Sequence, residues 1–211
     1  MSQIYCAYDL ETGDLDPSEG DLLTGFFAIL DEDFKIIDEL SLKLKPEGRL
    51  PIADARALEV NKIDLKKHVE DPETITYAEG KTKLVTLLKK YLKKRGKYSN
   101  ISLMGYNIKS FDNAWLYHHI INKKELETIV HYKCLDVMDD VDVLKRHGWL
   151  SPSAGTLTSM VEFFGIAKNE AHVARNDILM TICVYKQIHE LMESKKNSNN
   201  RQDIISLLEQ D

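Results

Sequence analysis

Two acidic residues lie at the end of the first apolar segment of the chain. This segment begins at Ile4, is rich in β-forming residues and ends in Asp9-Leu-Glu11-Thr12, so we predict a buried strand. Side chains two positions apart on a strand point to the same side, and Asp9 and Glu11 therefore present two carboxylates together. Two adjacent acids repel each other and are tolerated where cations or solvent screen them. A solvated strand end would also explain this pair.

Two further acids lie at the starts of predicted helices. Asp112 ends the stretch Gly105-Tyr-Asn-Ile-Lys-Ser-Phe-Asp112, where a short strand gives way to a helix, and Asp177 lies at the head of the last long helix. A helix cap or a first-turn acid favoured by the helix macrodipole is a sufficient structural explanation for Asp112. Asn107 could equally be a turn residue, because Asn side chains hydrogen-bond to their own backbone.

One histidine accompanies the acid at the head of the last helix. His172 precedes Asp177 by five residues and lies just outside the predicted helix, so both side chains can face one cleft. A lone histidine is more often a surface or packed imidazole, since it carries little motif information. Its unperturbed pKa of about 6.5 would allow it to accept a proton from an attacking water close to neutral pH.

The acids and the histidine together favour metal-dependent hydrolysis. Hard oxygen ligands suit Mg²⁺ or Mn²⁺, whereas zinc more often binds His and Cys. Two such ions about 3.5–4 Å apart can stabilise the attacking and leaving oxygens of a phosphodiester displacement. The residue types therefore predict a magnesium or manganese site where these strands and helices end.

Three motifs in this order resemble the DEDD exonucleases of the ribonuclease-H-like superfamily, specifically the DEDDh (DnaQ-like) branch. Asp9-Leu-Glu11-Thr12 is similar to the first motif, Asn107-Ile-Lys-Ser-Phe-Asp112 to the second and His172-Val-Ala-Arg-Asn-Asp177 to the third. The spacing of His and Asp in the third motif is typical of the His branch. Ala57–Ile63 resembles the family's segment after the third strand. The resemblance extends from about Ile4 to Met192.

The resemblance implies a 3′→5′ exonuclease that removes nucleoside 5′-monophosphates, with His172 as the general base. It implies that four carboxylates bind two Mg²⁺ or Mn²⁺ ions, namely Asp9, Glu11, Asp112 and Asp177. It also implies four contacts to the terminal nucleotide, from Thr12, Gly13, Asn107 and Phe111. One departure is Asn61, which stands where many relatives have a His. This departure affects the expected contact with the scissile nucleotide and not the metal ligands.

Strands and helices are predicted to alternate behind these motifs. Hydrophobic alternation predicts strands at Ile4–Leu10, Leu22–Leu30, Lys35–Lys45, Ile101–Tyr106 and Ile129–Val137. Helical spacing predicts helices at Leu84–Leu92, Phe111–Ile121, Val141–Lys145, Thr156–Phe164 and Ile178–Met192. The first three strands form an antiparallel meander with a turn at Asp31–Phe34. We therefore predict an α/β mixed sheet with parallel strands beside the meander and helices on both faces, which the resemblance makes ribonuclease-H-like.

Length and composition predict one soluble domain. The chain has 211 residues, a net charge of -6 and three widely separated cysteines, which fits a reduced, cytoplasmic protein. The acidic balance argues against a protein that coats nucleic acid by bulk electrostatics. No apolar run is long enough for a membrane span, so no membrane contact is expected. We assign residues 1–194 to the exonuclease domain and 195–211 to a polar linker with a short C-terminal helix, Asp203–Glu209.

Single-stranded 3′ ends of DNA or RNA are the expected partners, and RNA trimming, oligonucleotide clearance and proofreading all stay open. Proofreading would require a polymerase partner, since the chain carries no polymerase domain. The alternatives are a catalytically silent ribonuclease-H-like interaction module and a structural α/β domain that binds a divalent ion.

The basic run Lys89–Lys97 could contact a nucleic-acid strand, although such runs are more often solvated helix faces.

Overall fold

The computed structural model describes residues 2–96, 98–167 and 174–198. The strands are β1 (Ile4–Thr12), β2 (Leu22–Leu30), β3 (Ile36–Lys45), β4 (Thr74–Thr76), β5 (Lys94–Arg95), β6 (Tyr98–Ser99), β7 (Ile101–Gly105) and β8 (Leu135–Asp136). The helices are α1 (Ala55–Asn61), α2 (Leu65–Glu70), α3 (Tyr77–Tyr91), α4 (Asp112–Trp115), α5 (Lys123–Leu126), α6 (Val137–Arg146), α7 (Leu157–Phe163) and α8 (Ala174–Ser198). A π-helical segment, Leu116–Ile120, directly follows α4.

Six strands form one mixed sheet in the order β4-β3-β2-β1-β7-β8. β1, β2 and β3 pair antiparallel, and β7 is parallel to β1. β8 is parallel to β7, and β4 is parallel to β3, while β5 and β6 form a separate hairpin. Because β1 and β7 are parallel neighbours, the chain leaves both strands at the same edge of the sheet. This edge brings the first two sequence motifs together.

Alternation along β1 divides the hydrophobic core into two layers. Cys6 and Tyr8 pack in the layer that contains α3 and α4. Ala7 packs in the layer on the opposite face, with α6, α7 and α8. Asp9 and Glu11 follow Ala7 at two-residue intervals and therefore lie on the α8 side of the sheet. Helices cover both faces of the sheet, as the sequence predicts.

The turn after β7 requires a glycine. A Cβ atom at Gly105 would lie 2.2 Å from Ile108 Cγ2 and 3.0 Å from the backbone oxygen of Tyr8. Two residues later, Asn107 has a left-handed φ of 62°, a conformation that Asn tolerates better than most residues. These two residues allow the chain to turn closely over the end of β1.

Most of the predicted elements are confirmed. β2 has the predicted bounds, and β1, β2 and β3 form the predicted antiparallel meander. The turn at Asp31–Phe34 is closed by a hydrogen bond from the backbone N–H of Phe34 to the oxygen of Asp31. α6 and α8 cover the predicted helical segments, and α3 and α7 match theirs except for single end residues, namely Leu92, Thr156 and Phe164. The predicted fold class, an α/β mixed sheet with an antiparallel meander, parallel strands beside it and helices on both faces, is confirmed.

The predicted strand Ile129–Val137 is wrong over most of its length. Only Leu135–Asp136 pairs with β7, and α6 begins directly afterwards. The β-branched residues Ile129 and Val130 are instead buried in a turn after α5, where both backbone N–H groups donate to the oxygen of Leu126. Burial of these side chains therefore does not depend on strand pairing.

Other boundaries also differ from the predictions. The helix predicted at Phe111–Ile121 begins at Asp112 and becomes π-helical at Leu116. α8 continues through Ser198, so residues 195–198 are helical where a polar linker is predicted. The sequence analysis also missed the short elements α1, α2, β4, β5, β6 and α5.

Some predictions fall on residues that the structure does not describe. They are His172, Lys97, the remainder of the polar linker and the C-terminal helix Asp203–Glu209. In the part of the chain that is described, no helix combines the length and apolar character needed to cross a lipid bilayer. The three cysteines are free thiols.

The contact at Gly105 predicts a stability effect. We expect Gly105→Ala to lower the free energy of unfolding by about 1–3 kcal/mol, the usual cost of overpacking, as measured by thermal or urea denaturation. Because the new methyl group would clash with Ile108, the double variant Gly105→Ala/Ile108→Ala should lose less stability than the sum of the two single variants. Strictly additive losses would contradict this contact.

Candidate active site

Three of the predicted carboxylates meet at the edge of the sheet where β1 ends. Asp9 and Glu11 belong to β1, and Asp177 lies in the first turn of α8. Each residue offers one carboxylate oxygen, and these oxygens lie within 4.8 Å of one another. All three residues are partly buried. The fold therefore brings acids from the two ends of the chain into one group.

The fourth predicted acid, Asp112, lies beside this group. It begins α4 and is buried, with 4% of its surface exposed. Its Oδ1 atom accepts a hydrogen bond of 3.1 Å from the backbone N–H of Leu10. Since Leu10 separates Asp9 from Glu11 in β1, this bond places the Asp112 carboxylate next to the other acids.

Burial and mutual repulsion raise the pKa values of these carboxyl groups. Desolvation by burial, followed by the charges of Asp112 and Glu11, raises the pKa of Asp9 well above its usual range. Burial and the charge of Asp177 raise the pKa of Glu11 to about 8. Burial also raises the pKa of Asp112 to about 7. Among the described residues, no cationic side chain lowers these three pKa values.

The donor set of this group matches a hard divalent cation. Carboxylate oxygens are the ligands that Mg²⁺ and Mn²⁺ prefer in proteins. Closely spaced acids with raised pKa values would be stabilised in their ionised form by such an ion, because it supplies the positive charge that they lack. The residues present therefore fit a divalent metal site.

The loop between β7 and α4 is fixed by a buried acid that the sequence analysis missed. Asp136 accepts hydrogen bonds from the backbone N–H groups of Asn107, at 2.7 Å, and Lys109, at 2.9 Å. It also caps α6 by accepting from the N–H of Met138 at 3.1 Å. Asp136 falls inside the predicted strand Ile129–Val137, so the only signal was an acid within a mostly apolar segment. The loop partners lie 29 and 27 residues earlier, which no local pattern reveals.

The acids line a cavity of about 340 Å³ at this edge of the sheet. Its other walls are formed by Leu10, Tyr106, Asn107, Phe111, Met138, Gly155, Thr156 and Leu157. A second cavity of about 560 Å³ adjoins it, and the two share Leu10, Glu11 and Phe111. The second cavity is also lined by Thr12, Asp14, Leu15, Asp54, Arg56, Ala57, Val60 and Asn61. Both volumes are in the range of small-ligand sites.

Three of the four predicted nucleotide contacts line these cavities, namely Thr12, Asn107 and Phe111. Gly13 lines neither of them. A Cβ atom at Gly13 would lie 2.4 Å from the backbone oxygen of Ile52, so a glycine here lets the segment after β3 pack against the end of β1. Any contact of Gly13 with substrate stays a prediction.

A second buried acid fixes the segment that leads to the wall of the larger cavity, which begins at Asp54. Asp21 accepts hydrogen bonds from both terminal nitrogens of Arg49, from the N–H of Ile52 at 2.7 Å and from the hydroxyl of Tyr77 at 3.0 Å. Burial opposes ionisation of Asp21, but these hydrogen bonds outweigh it and lower its pKa. The sequence analysis missed Asp21, because its partners lie 28 to 56 residues away.

Asn61, which stands where the resemblance leads us to expect a His, has a structural role. It is 7% exposed, and its Nδ2 donates to the backbone oxygen of Thr12 at 3.2 Å. Its Oδ1 accepts from the N–H of Ile63 at 3.1 Å. Asn61 therefore fixes the backbone of Thr12 at the border between the acids and the larger cavity.

Comparisons with known proteins identify the fold. No protein-family model and no curated protein sequence matches this chain. Matching solved structures include E. coli exonuclease I in its zinc ion bound form with single-stranded DNA, with a dT13 oligonucleotide and with SSB-Ct. Their TM-scores are 0.70, 0.70 and 0.69, at sequence identities of 16%, 16% and 15%.

The alignments to exonuclease I cover 98%, 97% and 98% of this chain, but 45%, 46% and 46% of the exonuclease I chains. This chain thus spans a little under half the length of those proteins. The likeness establishes the fold, which this chain shares with part of E. coli exonuclease I.

The raised pKa values predict how the stability of the metal-free protein depends on pH. The pKa values of Glu11 and Asp112 are about 8 and about 7 in the folded protein, against about 4 in an unfolded chain. Between these values the folded state binds more protons than the unfolded state. The melting temperature in excess chelator should therefore fall as the pH rises from about 5 to about 8.

Glu11→Gln is the matched control for this measurement, because it removes one titrating group and keeps the shape of the side chain. The loss of stability between about pH 5 and pH 8 should be smaller in this variant than in the wild type. Equal losses in the two proteins would contradict a raised pKa for Glu11.

Proposed function

We propose that this protein is a metal-dependent 3′→5′ exonuclease that releases nucleoside 5′-monophosphates from single-stranded DNA or RNA. The observation that carries the proposal is the convergence of Asp9, Glu11 and Asp177, with oxygens within 4.8 Å of one another, beside the buried Asp112. The exonuclease I fold of the chain supports it. A cytoplasmic location and a polymerase partner stay predictions from the sequence.

Two Mg²⁺ or Mn²⁺ ions would be bound by Asp9, Glu11, Asp112 and Asp177. When bound, such ions supply positive charge to the attacking and leaving oxygens of phosphodiester hydrolysis. The carboxylates orient that charge because β1, α4 and α8 fix their positions around the smaller cavity. The repulsion among the acids would also weaken the binding of a phosphate at the site until cations are present.

The two adjoining cavities would receive the 3′-terminal nucleotide. Phe111 lines both cavities and offers a ring on which a base can stack. Thr12 and Asn107 would orient the sugar and phosphate, since their backbones are fixed by Asn61 and Asp136 respectively. The resemblance to 3′→5′ exonucleases is the basis for expecting a strand end rather than an internal segment at this site.

His172 would act as the general base. Its place in the chain, five residues before Asp177, is the basis of this assignment. It would accept a proton from the attacking water on an imidazole nitrogen and pass the proton to solvent after the phosphodiester bond breaks.

The direct test uses single-stranded DNA and RNA labelled at the 5′ end, with Mg²⁺ or Mn²⁺. We expect products that shorten stepwise from the 3′ end, and no products in excess chelator. Asp9→Asn should lower the rate at least about 100-fold, because a bound metal supplies several kcal/mol of transition-state stabilisation. Asp33→Asn, at an exposed acid in the turn before β3, is the matched control and should keep the wild-type rate.

No cleavage of either nucleic acid with either metal would contradict the exonuclease proposal. That result would instead support the catalytically silent interaction module. Internal cleavage of a closed circular single strand would contradict the specificity for ends.

The assignment of His172 predicts a variant with normal folding and slow turnover. We expect His172→Ala to lower the single-turnover rate about 10²–10⁴-fold, the usual contribution of a general base, without changing the melting temperature or Mn²⁺ affinity. His147→Ala, at the exposed end of α6, is the matched control and should keep the wild-type rate. A His172→Ala rate within about tenfold of wild type would remove His172 from the mechanism.

A further inference from the structure

Three aromatic rings form a surface patch far from the carboxylates. The rings of Tyr98, His131 and Tyr132 lie next to one another. The ring centroid of Tyr98 lies 5.6 Å from that of His131 and 6.2 Å from that of Tyr132, and the centroids of His131 and Tyr132 are 4.6 Å apart. Tyr98 is 46% exposed and Tyr132 is 60% exposed. We call these three residues the aromatic patch. Large aromatic side chains are usually buried, so two exposed rings in one contiguous patch suggest a binding surface.

Lysines accompany the aromatic patch. Lys133 lies with its Nζ atom 5.9 Å from the centroid of the Tyr132 ring. Lys93 directly precedes the β5–β6 hairpin that carries Tyr98, and it is exposed. Lys94 is also exposed, but it pairs with Ser99, so alternation places its side chain on the hairpin face away from Tyr98. In the sequence, the stretches 89–99 and 128–135 contain no Asp or Glu, so the patch residues belong to stretches of positive net charge in an otherwise acidic protein.

The aromatic patch lies at the end of the sheet opposite the acids. The N–H of His131 donates to the oxygen of Ile101, the first residue of β7, at 2.6 Å. Ile101 pairs with Ile4 at the start of β1, and Asp9 follows five residues along the same strand. At about 3.3 Å per residue, the patch is on the order of 17 Å from the carboxylates.

We propose that the aromatic patch and its lysines bind single-stranded nucleic acid, several nucleotides away from the 3′ end. Rings with exposed faces bind bases by stacking without regard to sequence, and lysines beside them neutralise the phosphates between the bases. An acidic peptide would also use the lysines, but it stacks on adjacent rings only where it happens to carry aromatic side chains, whereas every nucleotide carries a base. The combination therefore favours a nucleic-acid strand over an acidic protein segment.

The patch gives long substrates an advantage over short ones. A strand with its 3′ end at the carboxylates and its 5′ part on the patch makes contacts that a trinucleotide cannot reach. This consequence for the reaction rests on the proposed exonuclease function, whereas the binding itself does not. The patch should therefore lower KM for long strands and leave kcat unchanged.

Binding can be measured without cleavage by fluorescence anisotropy in excess chelator. The probes are a labelled oligothymidylate of about 20 nucleotides, which exceeds the sites of most single-strand binders, and a labelled trinucleotide. Tyr98→Ala/Tyr132→Ala should weaken binding of the long probe about fivefold or more, the lower limit for loss of one stacked base. The trinucleotide affinity should not change.

Conservative and unrelated variants separate stacking from damage to the fold. Tyr98→Phe/Tyr132→Phe keeps both rings and should bind the long probe as the wild type does. Ile37→Ala, which removes a side chain of similar exposure on β3, should also bind normally. Lys133→Glu should weaken binding of the long probe. The slope of its log affinity against log salt concentration should fall by about one, the change expected for loss of one phosphate contact.

Three results would overturn the proposal. The first is an unchanged affinity of the alanine variant for the long probe. The second is an equal loss of affinity for the long probe and the trinucleotide. The third is displacement of the long probe by an acidic peptide that binds more tightly than the probe and depends on Tyr98 and Tyr132. Binding that depends on the patch in a protein without nuclease activity would refute the exonuclease function alone. Nuclease activity with binding that does not depend on the patch would refute the patch alone.

Discussion

The repulsion among acidic groups at one edge of the sheet is the constraint on which the rest of the site depends. Asp9, Glu11 and Asp177 approach within 4.8 Å, and Asp112 lies beside them in a buried position. Such a group is unfavourable without a cation, since burial and like charges both oppose ionisation. The hydrophobic layers on the two faces of the sheet supply the free energy that keeps these acids together. A divalent ion would relieve this repulsion, so the residues that destabilise the metal-free protein are those that favour metal binding.

The supporting structure around the acids consists of buried polar residues that bind backbone rather than substrate. Asp136 fixes the loop that carries Asn107, and Asn61 fixes the backbone of Thr12. Asp21 binds Arg49 and Tyr77 and so fixes the segment that leads to the wall of the larger cavity. Each of these three residues makes several hydrogen bonds at once, so a single substitution there would disturb an entire loop. Under the proposed function, such residues would determine how accurately the acids and a bound nucleotide are placed.

The acids could be predicted from the sequence because their signals are local. The two-residue spacing of Asp9 and Glu11 and the position of Asp112 at a strand–helix junction both follow from short patterns. The supporting residues could not be predicted, since Asp21 and Asp136 bind partners 27 to 56 residues away. The run Ile129–Val137 misled the prediction because β-branched residues are buried there by a turn. The short helices α1 and α2 were missed because few large apolar side chains recur at helical spacing within them.

The central claim is that these acids form a metal site. The most direct test of it is the number of divalent ions that bind to the folded protein. Mn²⁺ can be counted by equilibrium dialysis and its affinity measured by isothermal titration calorimetry, in the absence of nucleic acid. The account predicts two Mn²⁺ ions per wild-type chain, and weaker binding in Asp112→Asn and Asp177→Asn variants that fold normally. A wild-type protein that binds no Mn²⁺, or an Asp177→Asn variant with unchanged stoichiometry and affinity, would contradict it.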